Sequence, residues 1–131
     1  MLVERLLLVA VGGALGSAAR YLVALGAVRW IGADFPYGTL LVNVAGAFLI
    51  GLVQGLAVDT GVMPERARLF LATGLMGGLT TYSAFAYETV QLADTGAWTR
   101  AMVNVVATTG VCLVFCIVGM VLARHLLRFA A

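Results

Sequence analysis

Three long stretches of this chain contain no charged side chain. They are Phe35–Val58, Leu69–Tyr87 and Ala101–Ala123. A helix needs about 20 apolar residues to cross a hydrocarbon core of ~30 Å, and each stretch has about that length. A fourth stretch, Leu6–Leu25, reaches it only by including Arg20.

The sequence therefore predicts an all-α membrane protein in which residues 1–131 form a single transmembrane domain. The predicted helices cover approximately residues 4–26, 37–58, 67–93 and 99–127. The predicted connections lie near Gly26–Phe35, Asp59–Arg68 and Asp94–Arg100.

The composition agrees with a chain that is solvated mainly by lipid. Hydrophobic residues make up 63% of it and charged residues 11%, whereas an ordinary globular domain is about 45–50% apolar and about 25% charged. We therefore expect no soluble domain and a lipid membrane as its surroundings. The net charge of +2 is too small to indicate a nucleic-acid partner.

The N-terminal segment Met1–Arg20 leaves two interpretations open. Its charged start, apolar stretch and small residues are also typical of a secretory signal. However, Gly12, Gly16 and Arg20 repeat every four residues, which is the spacing of one helix face. This repeat favours a permanent first transmembrane helix that packs on a neighbour.

Glycines four residues apart recur in three of the four predicted helices. The pairs are Gly12 and Gly16, Gly51 and Gly55, and Gly74 and Gly78. In lipid, small residues at this spacing let two helix backbones approach closely. We expect a dense bundle with a second subunit, because four such helices have little interior of their own.

The arginines divide unequally between the two ends of the predicted bundle. One end holds Arg5, Arg66, Arg68, Arg124 and Arg128, and the other holds Arg29 and Arg100. The positive-inside rule then favours both termini in the cytoplasm. A protein that inserts in both orientations would also have a small bias, so the topology stays open here.

Polar side chains within the membrane need partners. Asn43 and Gln54 lie about three helical turns apart, so they share a face. The Asn43 amide is expected either to bond another helix or to line a pore as a donor. Arg20 either anchors its helix at the interface or has a structural or vestibule role.

The last helix carries a polar stripe of Asn104, Thr108 and Cys112, spaced by four. These side chains either line a path or, for the threonine, bond a carbonyl of their own helix. Cys112 and Cys116 lie one turn apart without a nearby histidine or carboxylate. We interpret both as reduced, small hydrophobic residues rather than as metal ligands.

The uncharged stretch Leu69–Tyr87 contains the segment Gly77–Phe85 ("GGLTTYSAF"). Two adjacent glycines followed by the β-branched Thr80 and Thr81 weaken a helix. We predict a break between half-helices at Leu69–Gly78 and Ala84–Leu92, with a mere kink as the alternative. Unwound backbone at membrane depth offers carbonyls to cations and N–H groups to anions.

No catalytic constellation is present in the sequence, so we do not expect an enzyme. Glu88 is the only carboxylate near the polar segment, and the single histidine, His125, falls near the end of the last helix. The uncharged donors favour transport of a small anion; they are Asn43, Thr81 and Ser83. Tyr82 and Phe85 lie on one helix face, where they pack ordinarily or turn their positive ring edges to an anion.

Three motifs in this order resemble the CrcB/Fluc fluoride channels along the length of the chain. They are Gly12–Tyr21 ("GGALGSAARY"), Tyr37–Gly51 ("YGTLLVNVAGAFLIG") and Thr73–Phe85 ("TGLMGGLTTYSAF"). The resemblance implies an antiparallel, dual-topology homodimer in the inner (plasma) membrane, with a broken third helix and two fluoride pores. It also implies passive, electrodiffusive exit of cytoplasmic fluoride, which protects the cell from fluoride toxicity.

The resemblance also implies roles for individual residues. Asn43 would contact fluoride, and Tyr82 and Phe85 would take the aromatic positions whose ring edges face it. The carbonyls of Gly77 and Thr80 from both subunits would hold a central structural sodium ion. The rest of the polar track would comprise Thr81, Ser83, Asn104, Thr108 and Cys112. The first aromatic of the family is usually phenylalanine, so Tyr82 is a departure that puts its edge-on role in question.

Two other functions compete with this interpretation. A small four-helix antiparallel, proton-coupled multidrug exporter would need an acidic residue inside its first membrane helix. Here Glu4 stands before the first apolar stretch. A non-transporting assembly subunit would need Asn43 and Phe85 for stability alone.

Overall fold

The computed structural model describes residues 1–58 and 63–130, with side chains up to residue 57 and from 63 to 129. Over these residues it is all helical, and four helical segments are long and apolar enough to cross a membrane. This confirms the predicted all-α class with four membrane helices. The elements are α1 (Leu2–Trp30), α2 (Tyr37–Val58), α3 (residues 65–79), α4 (Tyr82–Asp94) and α5 (Trp98–Ala130).

The third span consists of α3 and α4 in succession. α3 starts with an α-helical turn, Glu65–Arg68, widens into a π-helical stretch, Leu69–Met76, and closes with the turn Gly77–Leu79. Part of the predicted connection Asp59–Arg68 lies outside the described residues, and its last four residues are helical rather than loop.

α1 continues beyond its predicted end near residue 26 and stops at Trp30. Gly26 does not interrupt it, since one glycine costs a helix only about 1 kcal/mol. Gly32 ends the helix instead, because its φ of 126° is a conformation that only glycine adopts readily. Its N–H donates to the Ala27 carbonyl at 3.1 Å, which satisfies one of the last carbonyls of the helix.

The glycine pairs of α1 and α3 form the contact between these two helices. A Cβ on Gly16 would meet the backbone carbonyl of Leu75, and one on Gly78 would meet the carbonyl of Gly13. Gly12 and Gly74 approach each other in the same way. α1 is therefore built into the bundle, as the permanent-helix interpretation of the N-terminus predicts.

A second glycine contact joins α2 to α5. A Cβ on Gly51 would meet the carbonyl of Cys116, and one on Gly119 would meet the carbonyl of Phe48. Gly55 lies against Ala123, which is fully buried. The bundle thus consists of two tightly packed pairs, α1 with α3 and α2 with α5, and α4 packs chiefly on α5.

Exposed ion pairs lie at both ends of the bundle. Arg5 pairs with Glu65 at 3.3 Å and Arg66 pairs with Glu4 at 3.0 Å, so the start of α1 lies beside the start of α3. At the opposite end Arg100 pairs with Asp34. Exposed pairs of this kind contribute about 0–1 kcal/mol each, so they align the helix ends rather than hold the bundle together.

The glycine contact of α1 with α3 can be tested by adding one methyl group. We expect Gly16→Ala to destabilise the protein by about 1–3 kcal/mol, because overpacking forces the two backbones apart. Gly26→Ala in the same helix is the matched control, since nothing lies within 4 Å of the added Cβ. Thermal unfolding in detergent measures both; equal melting temperatures for the two variants would contradict the contact.

Candidate functional site

The third span is broken at its midpoint. Thr80 and Thr81 have extended backbone, with φ, ψ of −82°, 155° and −153°, 115°. The predicted break is therefore present, but it is shorter than expected. The predicted half-helices end at Gly78 and start at Ala84, whereas Leu79 is still helical and α4 already starts at Tyr82, so only the two threonines leave the helix.

The side chains of these two threonines replace helical hydrogen bonds at the break. The Thr80 hydroxyl donates to the Met76 carbonyl at 2.9 Å. The Thr81 hydroxyl accepts the Ala84 N–H at 3.2 Å and so caps α4. Gly74 and Gly78 let α3 approach α1 closely. The two threonine hydroxyls bond the helix ends on either side of the break.

The Asn43 amide pairs with both backbone groups of Thr81. Its Oδ1 accepts the Thr81 N–H at 2.8 Å, and its Nδ2 donates to the Thr81 carbonyl at 3.1 Å. An unpaired peptide group in the hydrocarbon region would cost several kcal/mol. The predicted interhelical bond of Asn43 is thus present, and it satisfies the opened backbone. The amide nitrogen carries a second hydrogen, so this contact does not exhaust its donors.

The same bonds leave two carbonyls without their usual helical donors. In a continuous α-helix the carbonyl of residue i accepts the N–H of residue i+4. The donor for Gly77 would be the Thr81 N–H, which goes to Asn43, and the donor for Thr80 would be the Ala84 N–H, which goes to the Thr81 hydroxyl. Gly77 is exposed and Thr80 is partly exposed. These are the two carbonyls for which the resemblance to the CrcB/Fluc channels implies a sodium ion, and uncharged oxygens suit a hard cation.

The first turn of α4 presents polar groups at mid-membrane depth. Ser83 is exposed, and its hydroxyl lies 3.3 Å from the hydroxyl of Thr81. The N-terminus of a helix also carries a partial positive charge from its free N–H groups. Together these groups can receive an anion.

The two aromatic rings of this turn have different surroundings. Their centroids are 5.4 Å apart at an interplanar angle of 57°. Tyr82 is 80% exposed, whereas Phe85 is only 7% exposed. Phe85 therefore faces the interior of this bundle, and Tyr82 points away from it.

The polar stripe of α5 is buried against α4. Asn104 is 1% exposed, and its Nδ2 donates to the Thr89 hydroxyl at 2.9 Å. The Thr108 hydroxyl in turn donates to Asn104 Oδ1, and Cys112 is half-buried one turn further along. The sequence interpretation missed Thr89, although its spacing of four from Phe85 places both on one face.

A cavity of about 450 Å³ opens at the end of the bundle where Asp34 pairs with Arg100. Thr39 and Glu88 form part of its lining, and the Thr39 hydroxyl donates to Glu88 Oε1 at 2.8 Å. Glu88 Oε2 is buried without a hydrogen-bond partner among the described residues. This cavity, called the vestibule below, has a mixed polar and apolar lining and reaches α4 at Glu88 and Gln91.

Two further predicted residues lie apart from these contacts. Arg20 is half-buried in α1 and makes no ion pair with the acidic side chains that the structure describes. Its anchor, structural and vestibule roles stay predictions. The Oε1 of Gln54 is buried and has no partner within the described part of the chain, so Gln54 does not share the role of Asn43.

Comparison with known proteins identifies the family. Residues 7–120 match the family model of the CrcB-like protein, Camphor Resistance (CrcB). The chain belongs to this family. The matched region begins inside α1 and ends inside α5, so it includes the break and the hydrogen bonds that surround it.

Relatives named "Fluoride-specific ion channel FluC" include the following three proteins. The protein of Anaeromyxobacter sp. (strain K) is 49% identical over 93% of this chain and 97% of its own length. The protein of Geobacter metallireducens is 48% identical over 90% of this chain and 95% of its own length. The protein of Clostridium perfringens is 42% identical over 92% of this chain and 94% of its own length. The family is one of ion channels, so the chain is a multi-pass membrane protein and not an enzyme.

These names do not favour the multidrug exporter. The structure also gives Glu4 another use, since it lies in the first turn of α1 and pairs with Arg66. The chain therefore offers no acidic residue in the middle of its first membrane helix.

The Asn43 contact predicts a large effect on stability. We expect Asn43→Leu to destabilise the protein by about 2–6 kcal/mol, because it orphans two backbone groups at a cost of about 1–3 kcal/mol each. Gln54→Leu, on the same helix, is the matched control and should leave the melting temperature unchanged or raise it. Thermal unfolding in detergent is the measurement; a stable Asn43→Leu protein would show that the break is satisfied in another way.

Proposed function

We propose that this protein is a fluoride-selective channel through which cytoplasmic fluoride leaves by passive electrodiffusion. The observation that carries the proposal is the break at Thr80–Thr81, whose opened backbone is held by Asn43 beside exposed hydrogen-bond donors. The names of the relatives supply the identity of the ion.

A fluoride ion in low dielectric must replace its water with donors. Asn43, Thr81 and Ser83 provide uncharged donors around the break, and the N-terminus of α4 adds its dipole. The edges of Tyr82 and Phe85 carry partial positive charge and complete the surroundings of the ion. On the α5 side the path is bordered by the stripe Asn104, Thr108 and Cys112, and the vestibule at Glu88 connects it to water.

A second copy of the chain in inverted orientation would complete the pore. Tyr82 and Ser83 are exposed at the depth where lipid tails would otherwise surround them, and the carbonyl of Gly77 has lost its helical donor. Lipid cannot satisfy such groups, so a protein surface is expected to cover them. An antiparallel homodimer supplies one, and its symmetry gives two equivalent pores.

A sodium ion between the two copies fits the carbonyls of Gly77 and Thr80. Each copy would contribute two backbone oxygens, and the ion would sit on the two-fold axis. There the positive charge of the ion would attract the carbonyl oxygens of both copies and so hold the two broken helices together. Its role is structural, since no proton or electron is transferred.

The direction of flux follows from the chemistry of fluoride. Hydrogen fluoride enters cells as a neutral weak acid and dissociates in the more alkaline cytoplasm. In the inner (plasma) membrane a potential that is negative inside then drives the anion out. This protects the cell from fluoride toxicity without an energy source.

Fluoride efflux from liposomes tests the proposed function. Purified protein is reconstituted in vesicles loaded with potassium fluoride, and valinomycin is added while a fluoride electrode records release. We expect rapid release of fluoride, and no comparable release of chloride from vesicles loaded with potassium chloride, which a chloride electrode records. A well-folded protein that releases no fluoride would refute the channel.

A substitution at Phe85 distinguishes a role in the pore from a role in packing alone. We expect Phe85→Ile to abolish fluoride efflux, because the aliphatic side chain has no positive ring edge. The dimer should persist, since both side chains are apolar and of similar size. Size-exclusion chromatography accompanies the efflux measurement, and loss of the dimer together with flux would favour the non-transporting interpretation.

Tyr82 is the position where the chain departs from its family. We expect Tyr82→Phe to keep its fluoride efflux, because the ring edge remains when the hydroxyl is removed. The same liposome assay measures it. An inactive Tyr82→Phe protein would mean that the tyrosine hydroxyl itself takes part in conduction.

Sodium removal tests the proposed ion site. We expect the melting temperature of the purified dimer to fall when sodium is exchanged for N-methyl-D-glucamine, because a ligand that binds only the native state stabilises it. Returning sodium should restore it, whereas equal ionic strength from N-methyl-D-glucamine chloride should not. A melting temperature independent of sodium would contradict the site.

A further inference from the structure

Within residues 1–58 and 63–130, three polar contacts attach the half-helix α4 and the residue before it to neighbouring helices. Thr81 precedes it and is bonded to Asn43 of α2. Glu88 accepts from Thr39 of α2, and Thr89 accepts from Asn104 of α5. Each contact lies at a different height or on a different side of α4, so together they determine both its depth and its rotation about its own axis.

The contact with α5 belongs to a directed chain of hydrogen bonds. The Thr108 hydroxyl donates to Asn104 Oδ1 at 3.3 Å, and Asn104 Nδ2 donates to the Thr89 hydroxyl at 2.9 Å. The Thr89 hydroxyl then donates to the carbonyl of Phe85 at 2.7 Å. The chain thus ends on the backbone of the residue whose ring is proposed to face the ion.

We propose that Asn104 and Thr89 are positioning residues for Phe85, and that the α5 stripe contributes to fluoride selectivity through this chain of bonds. The inference rests on the proposed fluoride channel and assigns Asn104 a different task from direct contact with the ion. The relay is defined here as Thr108, Asn104, Thr89 and the Phe85 carbonyl.

The geometry explains how a bond at Thr89 orients the ring at Phe85. The two residues are four apart, so they lie on the same face of α4, one turn from each other. Bonding Thr89 to α5 turns this face, with Phe85, toward α5. A threonine that bonds the carbonyl four residues earlier also bends its helix slightly, so the relay affects the local backbone of Phe85 as well.

Burial explains why Asn104 acts through its neighbours. Only 1% of its surface is exposed, and Thr108 is 8% exposed. The single hydroxyl hydrogen of Thr108 is donated to Asn104, and that of Thr89 is donated to the Phe85 carbonyl. The relay therefore presents few donors to a passing anion and is well suited to hold α4 in place.

The test compares the fluoride-over-chloride permeability ratio of relay variants in liposomes. Thr89→Val keeps the shape of the side chain and removes the hydroxyl, and Asn104→Leu removes the amide. We expect each to lower the ratio by roughly three- to tenfold, since one net hydrogen bond contributes a factor of that order. The double variant should be no worse than either one, because both act as a unit.

Two controls separate positioning from general destabilisation. Thr89→Ser keeps the hydroxyl and should restore the ratio. Thr95→Val, at the residue that follows α4, removes a hydroxyl that donates to the carbonyls of Gln91 and Leu92 in the last turns of that helix. It should leave the ratio unchanged even if the melting temperature falls.

A fluorine label gives a readout that does not depend on flux. With 4-fluorophenylalanine at position 85, Thr89→Val should shift the ¹⁹F resonance, and Thr89→Ser should not. If the Thr89→Val protein does not assemble, Asn104→Asp takes its place in this measurement, because it also removes the donor to Thr89.

Either of two results in Thr89→Val would overturn the inference: an unshifted ¹⁹F resonance at position 85, or an unchanged fluoride-over-chloride permeability ratio. Loss of fluoride flux in Asn104→Leu but not in Thr89→Val would also overturn it, because it would mean that Asn104 touches the ion. Wild-type protein without fluoride flux would instead refute the proposed function.

Discussion

The structure depends on a single side-chain amide that replaces the hydrogen bonds of an interrupted membrane helix. A chain that opens at the centre of a bilayer must satisfy each freed peptide group within the protein. Asn43 does so for both backbone groups of Thr81, and the Thr81 hydroxyl caps the next half-helix. The protein can therefore keep an extended segment where lipid alone would enforce a continuous helix.

This substitution of partners has a consequence on each side of the break. On the α3 side it takes the usual donors away from the carbonyls of Gly77 and Thr80, which leaves oxygens that suit a cation. On the α4 side it creates a helix N-terminus next to Ser83, which suits an anion. Opposite charges can thus be accommodated within a few residues, and the tight glycine contacts of α1 with α3 hold this arrangement in position.

Sequence patterns predicted the number of helices, their close glycine contacts and the break, because each depends on residues that are near in sequence. They did not predict that α1 passes Gly26 and ends at Trp30, just before Gly32, since a glycine is tolerated inside a helix that has strong packing. The pairing of Asn104 with Thr89 was also missed. Such bonds join residues of different helices, and their partners follow from the rotation of α4, which spacing along one helix does not reveal.

The most direct test of this account is a crystal structure of the purified protein grown in sodium fluoride. We predict two inverted copies that meet at their breaks, with the Asn43 amide on the Thr81 backbone of each copy. A cation should lie between the carbonyls of Gly77 and Thr80 from both copies, and fluoride beside Phe85. A continuous third helix, in which the Thr81 N–H bonds the Gly77 carbonyl, would contradict the account.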